Sequence, residues 1–279
     1  PPRSTLFPYT TLFRSVKDCA YLLEIMAGFD SNDFTSSKKD VPNYLSLLEK
    51  SNVKGLKLAL PKEYIDMDLE DGVRKNFLKS IDILKGMGVE IEEVSLLDPK
   101  LSIAVYTLTC RGEVSSNLAR YDGTRYGLST EDISTTTENY EMSRGEGFGQ
   151  EVKRRIMTGT ISLSSGYAEE CFRKSEKVRE LIKKDFANIF KKYDAIVGPA
   201  TPSVALTEKE AENPLFGELA DVLSEGSSLA GLPGISIPSG LSNDLPTGIQ
   251  FIANHFEEPT MFSLAYALEK EIGRVIPKL

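Results

Sequence analysis

From residue 16 onward the apolar positions fall into short runs of recognisable period. Residues 16–27 place Val16, Cys19, Ala20, Leu23 and Met26 at helical spacing, and Gly28 follows as a stop. A polar, turn-like stretch over 30–40 and a short amphipathic piece over 41–48 come next. The run Leu56-Lys57-Leu58-Ala59-Leu60 alternates as a strand does, and Pro61 ends it. Residues 71–85 repeat Val73, Phe77, Ile81 and Leu84 on one helical face, then Gly86-Met87-Gly88 breaks the helix before a second strand over 89–94. Strand, helix and strand in this order predict a βαβ unit, hence a mixed or largely parallel sheet covered by helices.

Further along, residues 101–121 align Ile103, Thr107, Cys110, Val114 and Leu118 on one stripe, with Tyr106, Glu113 and Asn117 on an adjoining face available to line a site. A polar loop over 122–139 precedes the most unusual stretch, 143–170, where Gly145, Gly147 and Gly149 lead into Lys153-Arg154-Arg155. The basic cluster sits within a helical pattern of Val152, Ile156, Thr160 and Leu163, so at least one arginine leans toward the protein and needs an anionic partner or ligand. The pattern does not choose between Arg154 and Arg155, and a structural salt bridge satisfies it as well as a ligand does. A long helix over 168–192 turns Val178, Leu181, Ile182, Phe186, Ile189 and Phe190 inward. Strands follow over 194–198, at the end of 227–238 and over 248–252, and a final helix over 260–272 buries Met261, Leu264, Ala265 and Leu268. No internal repeat or linker interrupts this order, which reads as one α/β domain.

Residues 1–15 fit neither period. Thr5-Leu6-Phe7 recurs as Thr11-Leu12-Phe13, and the segment resembles translated adapter sequence, so the fold is expected to begin at residue 16 and to occupy 16–279 as an N-terminally truncated domain.

Composition narrows the class. The 279 residues are 41% hydrophobic and 27% charged, enough apolar material for a full core, and no apolar run approaches a membrane span. A net charge of -8 gives no overall attraction to phosphate backbones, so any nucleic acid is expected to be held by a partner. The three cysteines, Cys19, Cys110 and Cys171, lack metal-ligand or redox spacing and suit a reducing cytoplasm as buried small groups.

Candidate chemistry is sparse. The run GEGFGQ completes no phosphate-binding fingerprint, and a tight loop permitting close backbone approach is the simpler reading. Ser164, Ser165, Ser227 and Ser228 suggest nucleophiles, but the single histidine, His255, sits in a loop-like stretch outside any triad motif. Scattered cysteines and one histidine leave only carboxylates for a metal, and no loop has EF-hand spacing.

Five stretches carry a resemblance: SSNLARYDGTRYG (115–127), SRGEGFGQEVKRRIMTGT (143–160), KSEKVRELIKKDF (174–186), YDAIVGP (193–199) and LAGLPGISIPSG (229–240). With them the chain from residue 16 resembles the carboxyl-terminal half of amidase-signature proteins, in the branch formed by A subunits of tRNA-dependent amidotransferases. The resemblance implies an amidase-signature fold and glutaminase chemistry by a serine nucleophile activated through a second, cis-bonded serine and a lysine. Those residues lie in the family's amino-terminal half, so no catalytic residue is assigned here, and the serines named above are decoys. It also implies a glutamine pocket in which Arg155 pairs with the α-carboxylate, Asp221 holds the α-ammonium and Tyr106 lines the site. The chemistry suits these residue types, because a planar guanidinium grips a carboxylate bidentately. This chain departs from the family in having Ser228 where asparagine is usual, after an atypical 224–227. The implied reaction passes ammonia to a B subunit that amidates ATP-activated Glu-tRNA(Gln) and/or Asp-tRNA(Asn), with a C subunit completing a heterotrimer. No cofactor is expected in this chain; ATP and Mg belong to the partner. The other readings are a different amidase-signature hydrolase acting on a small or fatty amide, and a non-enzymatic interaction protein.

Overall fold

The computed structural model describes residues 14–130, 135–212 and 219–275. Of the segment set aside above, residues 1–13 lie outside the described residues. Ser15 is the N-cap of the first helix, its hydroxyl accepting from the Asp18 amide at 3.2 Å.

The elements follow the expected order. Helices α1 (Val16–Met26) and α2 (Tyr44–Glu49) precede strand β1 (Lys57–Pro61), the short helix α3 (Lys62–Ile65), α4 (Asp71–Gly86) and β2 (Glu90–Val94). Next come α5 (Lys100–Leu118), α6 (Thr136–Gly147), α7 (Gln150–Leu163), a π-helical turn (Glu169–Arg173) and α8 (Lys174–Ile189). The chain closes through β3 (Ala195–Pro199), α9 (Glu208–Ala211), α10 (Glu225–Ala230), β4 (Gly234–Ser242), β5 (Leu245–Ala253) and α11 (Glu258–Ile272). Two compact units emerge: the described residues up to Pro99 together with those from Lys184 onward, and Lys100–Lys183.

The first unit holds a five-stranded sheet in the order β2-β1-β3-β5-β4. Strand β1 pairs parallel with β2 and β3, as the βαβ reading requires, while β5 pairs antiparallel with β3 and β4, so the sheet is mixed. The alternation read in β1 does not appear as alternating burial; four of its five residues are buried, because the strand is internal and covered on both faces. On α4 the predicted face is the buried one, Val73, Phe77, Ile81 and Leu84. The same holds for Met261, Leu264, Ala265 and Leu268 on α11. A hairpin the sequence reading passed over joins β4 to β5 through Asn243 and Asp244, both left-handed at φ 51° and 63°.

The second unit is helical throughout its described elements, and its packing departs from the predicted stripes. On α5 the buried residues are Ser102, Val105, Thr109, Gly112 and Ser115, none of them in the apolar stripe. On α7 they are Gly159 and Ser162, while Leu163 is exposed. The reason is close helix approach: a Cβ on Gly159 would stand 1.9 Å from the Arg111 carbonyl oxygen and 2.7 Å from the Ser115 Cβ. At that separation only small side chains fit, and hydroxyls link the helices, with Ser115 Oγ 2.9 Å from Thr160 Oγ1. The glycines at 145, 147 and 149 form no tight loop. Gly145 and Gly147 end α6, Gly149 caps α7 at φ -66°, and no residue presses on Gly145 or Gly149. Leu181, expected inside α8, is exposed, whereas Ile182 and Phe186 are buried.

Candidate functional site

The α5–α7 packing determines which cluster residue meets which neighbour. Contacts advance together along both helices, Tyr106 with Arg155, Arg111 with Gly159 and Ser115 with Thr160, so the two helices run in the same direction. This register sets the Tyr106 hydroxyl beside the Arg155 guanidinium and the Cys110 thiol. Arg155 is half-buried and Arg154 exposed. The thiol contact raises the Tyr106 hydroxyl above its ordinary range, and the guanidinium opposes that shift. The cysteines are half-buried rather than buried; Cys110 is a polar neighbour of Tyr106, not core packing.

Glu151, in the first turn of α7, completes the cluster. Its carboxylate accepts from Arg154 Nε at 2.7 Å and Nη2 at 2.8 Å, and from Arg155 Nε at 2.8 Å. These are i,i+3 and i,i+4 pairs, and the position also favours an anion at the positive end of the helix. Hydrogen bonds from Arg154 first, then Arg155, hold the Glu151 carboxyl down at about 2. Glu151 in turn, with Tyr106 second, raises Arg155 further above its already high range. The Glu-x-x-Arg-Arg spacing was legible in the sequence, and the reading of the basic cluster overlooked it.

The stretch 115–127 braces the end of α5. Arg144 on α6 donates to the carbonyls of Leu118 (2.8 Å) and Tyr121 (2.9 Å), satisfying groups a helix end leaves open, and lies 4.9 Å from the ring centroids of Tyr140 and Phe148. Asp122 accepts from the amides of Thr124 and Arg125 and from the Arg125 guanidinium, which together lower its carboxyl to about 2. Gly123 takes φ +76°, and a Cβ there would meet Ser143 Oγ at 2.5 Å. A resemblance motif thus proves to be a knot that anchors the helix bearing Tyr106.

Asp221 belongs to the other unit. It is exposed on a turn whose next two residues, Val222 and Leu223, are buried, and its carbonyl accepts from the amides of Ser224 (2.9 Å) and Glu225 (3.1 Å). Gln250, buried in β5, donates to the carbonyls of Leu223 (2.9 Å) and Pro199 (3.0 Å), tying this turn to the sheet. A lone amide inside the apolar run GIQFI was the signal for it. After α10, Gly231 stops the helix in the left-handed conformation at φ +73°, which is the local reason for the glycine of LAGLPG.

The serines behave as helix-end residues. Ser164 Oγ donates to the Ile161 carbonyl, and Ser227 and Ser228 both donate to the Ser224 carbonyl. His255 is exposed after β5. Among the described residues no three histidine, cysteine or carboxylate side chains gather as a metal-ligand group, and no helix is long and apolar enough to cross a membrane.

The Amidase family model matches residues 10–262. The chain belongs to the amidase family. It is 45% identical over 268 residues to the A subunit of glutamyl-tRNA(Gln) amidotransferase from Geobacillus thermodenitrificans and 46% identical over the same length to that from Enterococcus faecalis. Each alignment takes in 96% of this chain and 55% of the relative, so the chain spans about half the length of the curated relatives it matches. Among solved structures it superimposes on the A subunit of glutamyl-tRNA(Gln) amidotransferase from Thermotoga maritima with a TM-score of 0.72 at 36% identity, over 92% of this chain and 51% of that one. A bacterial aryl acylamidase of the amidase-signature enzymes gives 0.71 at 16% identity, a likeness of fold alone. The mixed sheet with its helices is the amidase-signature fold.

Proposed function

We propose that this chain supplies the glutamine-recognition part of the glutamine-hydrolysing A subunit of a tRNA-dependent amidotransferase. The observation that carries it is the Arg155 guanidinium, held between Tyr106 and Glu151, on a scaffold 45% identical to a relative of that name. Arg155 grips the α-carboxylate of glutamine, and Tyr106 fixes the guanidinium and lines the pocket; the α-ammonium role falls to Asp221 by the family resemblance alone. A free amino acid is thereby selected over a protein side-chain amide, which has no α-carboxylate or ammonium to offer. Ammonia released from glutamine passes to a B subunit, which holds the tRNA and uses ATP and Mg to convert Glu-tRNA(Gln), and/or Asp-tRNA(Asn), to the amidated form. A C subunit completes a cytoplasmic heterotrimer serving protein biosynthesis. The net charge of -8 supports this division, because an acidic surface does not attract tRNA.

The test is an NMR titration of the chain with L-glutamine and with 4-aminobutanamide, the same molecule lacking its carboxylate. The chain is expected to prefer L-glutamine, and Arg155→Met to weaken L-glutamine binding by about tenfold, as loss of a charge-assisted hydrogen bond requires. Equal binding of the two ligands by the unsubstituted chain would overturn the reading.

A further inference from the structure

A guanidinium offers two planar edges to carboxylates, and a long side chain loses much of its rotational freedom in presenting either. Arg155 already commits its Nε to Glu151 Oε1 at 2.8 Å, while Arg154 takes Glu151 through both Nε and Nη2. One carboxylate thus serves two guanidiniums. The Tyr106 hydroxyl meets the same guanidinium from α5. The pin through Nε keeps the Nη1/Nη2 edge as the paired edge for a second carboxylate.

We infer that Glu151 is a positioning residue for ligand carboxylates, pinning Arg155 through Nε so that its Nη edge is presented together with the Tyr106 hydroxyl. The inference rests on the glutamine reading above and extends it: specificity for an α-carboxylate belongs to Glu151 and Arg155 jointly. Arg154 balances the Glu151 charge without taking part in the grip.

The experiment measures the affinity ratio of L-glutamine to 4-aminobutanamide in the 279-residue chain and in three variants. Glu151→Ala should lower the ratio by about tenfold, the cost of one charge-assisted hydrogen bond and its geometry, with 4-aminobutanamide binding unchanged. Glu151→Gln, which keeps an acceptor oxygen, should restore the ratio to within about threefold, as a neutral hydrogen bond replacing a charged one allows. Arg154→Gln should leave it unchanged. Side-chain exposure of 50% at Glu151 makes these substitutions compatible with folding, and a thermal melt of each variant checks it. An unchanged ratio in Glu151→Ala would overturn the positioning role while leaving the glutamine reading intact. A raised ratio would equally overturn it, since Glu151 would then be a competitor for Arg155. Absence of any preference in the unsubstituted chain would instead remove the glutamine reading itself.

Discussion

The sheet unit and the helical unit are built by different packing rules. In the sheet unit, α4 buries Val73, Phe77, Ile81 and Leu84, the residues a 3.6-residue period selects. In the helical unit, α5 and α7 bury Gly112, Ser115, Gly159 and Ser162, where a period of apolar residues has nothing to report. A sheet presents a broad apolar surface, so covering helices gain by burying large aliphatic side chains. Two helices in near-backbone contact gain from dispersion and short hydroxyl links, and large side chains would hold them apart. The proposed carboxylate grip sits on the second kind of packing. Its precision therefore depends on small residues rather than large ones.

Three substitutions probe this contrast, in order of decreasing expected effect. Phe251→Ala removes a fully buried ring from β5, where it pairs in register with Val197. A loss of about 4 kcal/mol is expected in denaturant unfolding, with hydrogen exchange rising first in strands β3 to β5. Gly159→Ala comes next. Helix propensity alone would gain about 1 kcal/mol from this change. Overlap with the Arg111 carbonyl reverses the sign, and a net loss of about 2 kcal/mol is expected, with exchange rising in α5 and α7. A stabilised Gly159→Ala protein would show that the helices are not in close contact. If both substitutions loosened the same segments, the two packing regimes would collapse into one.

The smallest effect concerns the knot at the end of α5. Asp122 is held at about 2, below its ordinary value, by the Arg125 and Thr124 amides and the Arg125 guanidinium. A depressed carboxyl contributes stability above the unfolded value, about 4, and loses it as pH falls toward the folded one. The difference in melting temperature between the unsubstituted chain and Asp122→Asn should therefore be small at neutral pH and shrink between about pH 5 and pH 2. A difference that stayed constant over that range would mean the charge plays no part.

Legibility followed the same division. Strand order could not be read from periodicity, but the existence of β1, α4 and β2 and the face of α4 could, because burial against a sheet leaves an apolar signature. The glycine-rich stretch 143–149 misled, since Gly145 and Gly147 simply end a helix. Arg154 and Arg155 were equivalent by spacing, and it was the resemblance that favoured Arg155. The contact of the Arg155 guanidinium with the Tyr106 hydroxyl depends on the rotational setting of α7 against α5, which close contact at Gly159 imposes. Glu151 was readable from its spacing to both arginines, yet its carboxylate acquires meaning only beside Tyr106.

The sequence by itself determined the amidase family, the mixed α/β class and the residue types fit to hold a carboxylate, because motifs and apolar periods are written locally. Tertiary structure alone decided which arginine meets Tyr106, which small residues bring α5 and α7 together and how Gln250 holds the turn bearing Asp221. Those pairings join residues from 27 to 51 positions apart in the chain. Distances of that kind are set by packing, which no local pattern records.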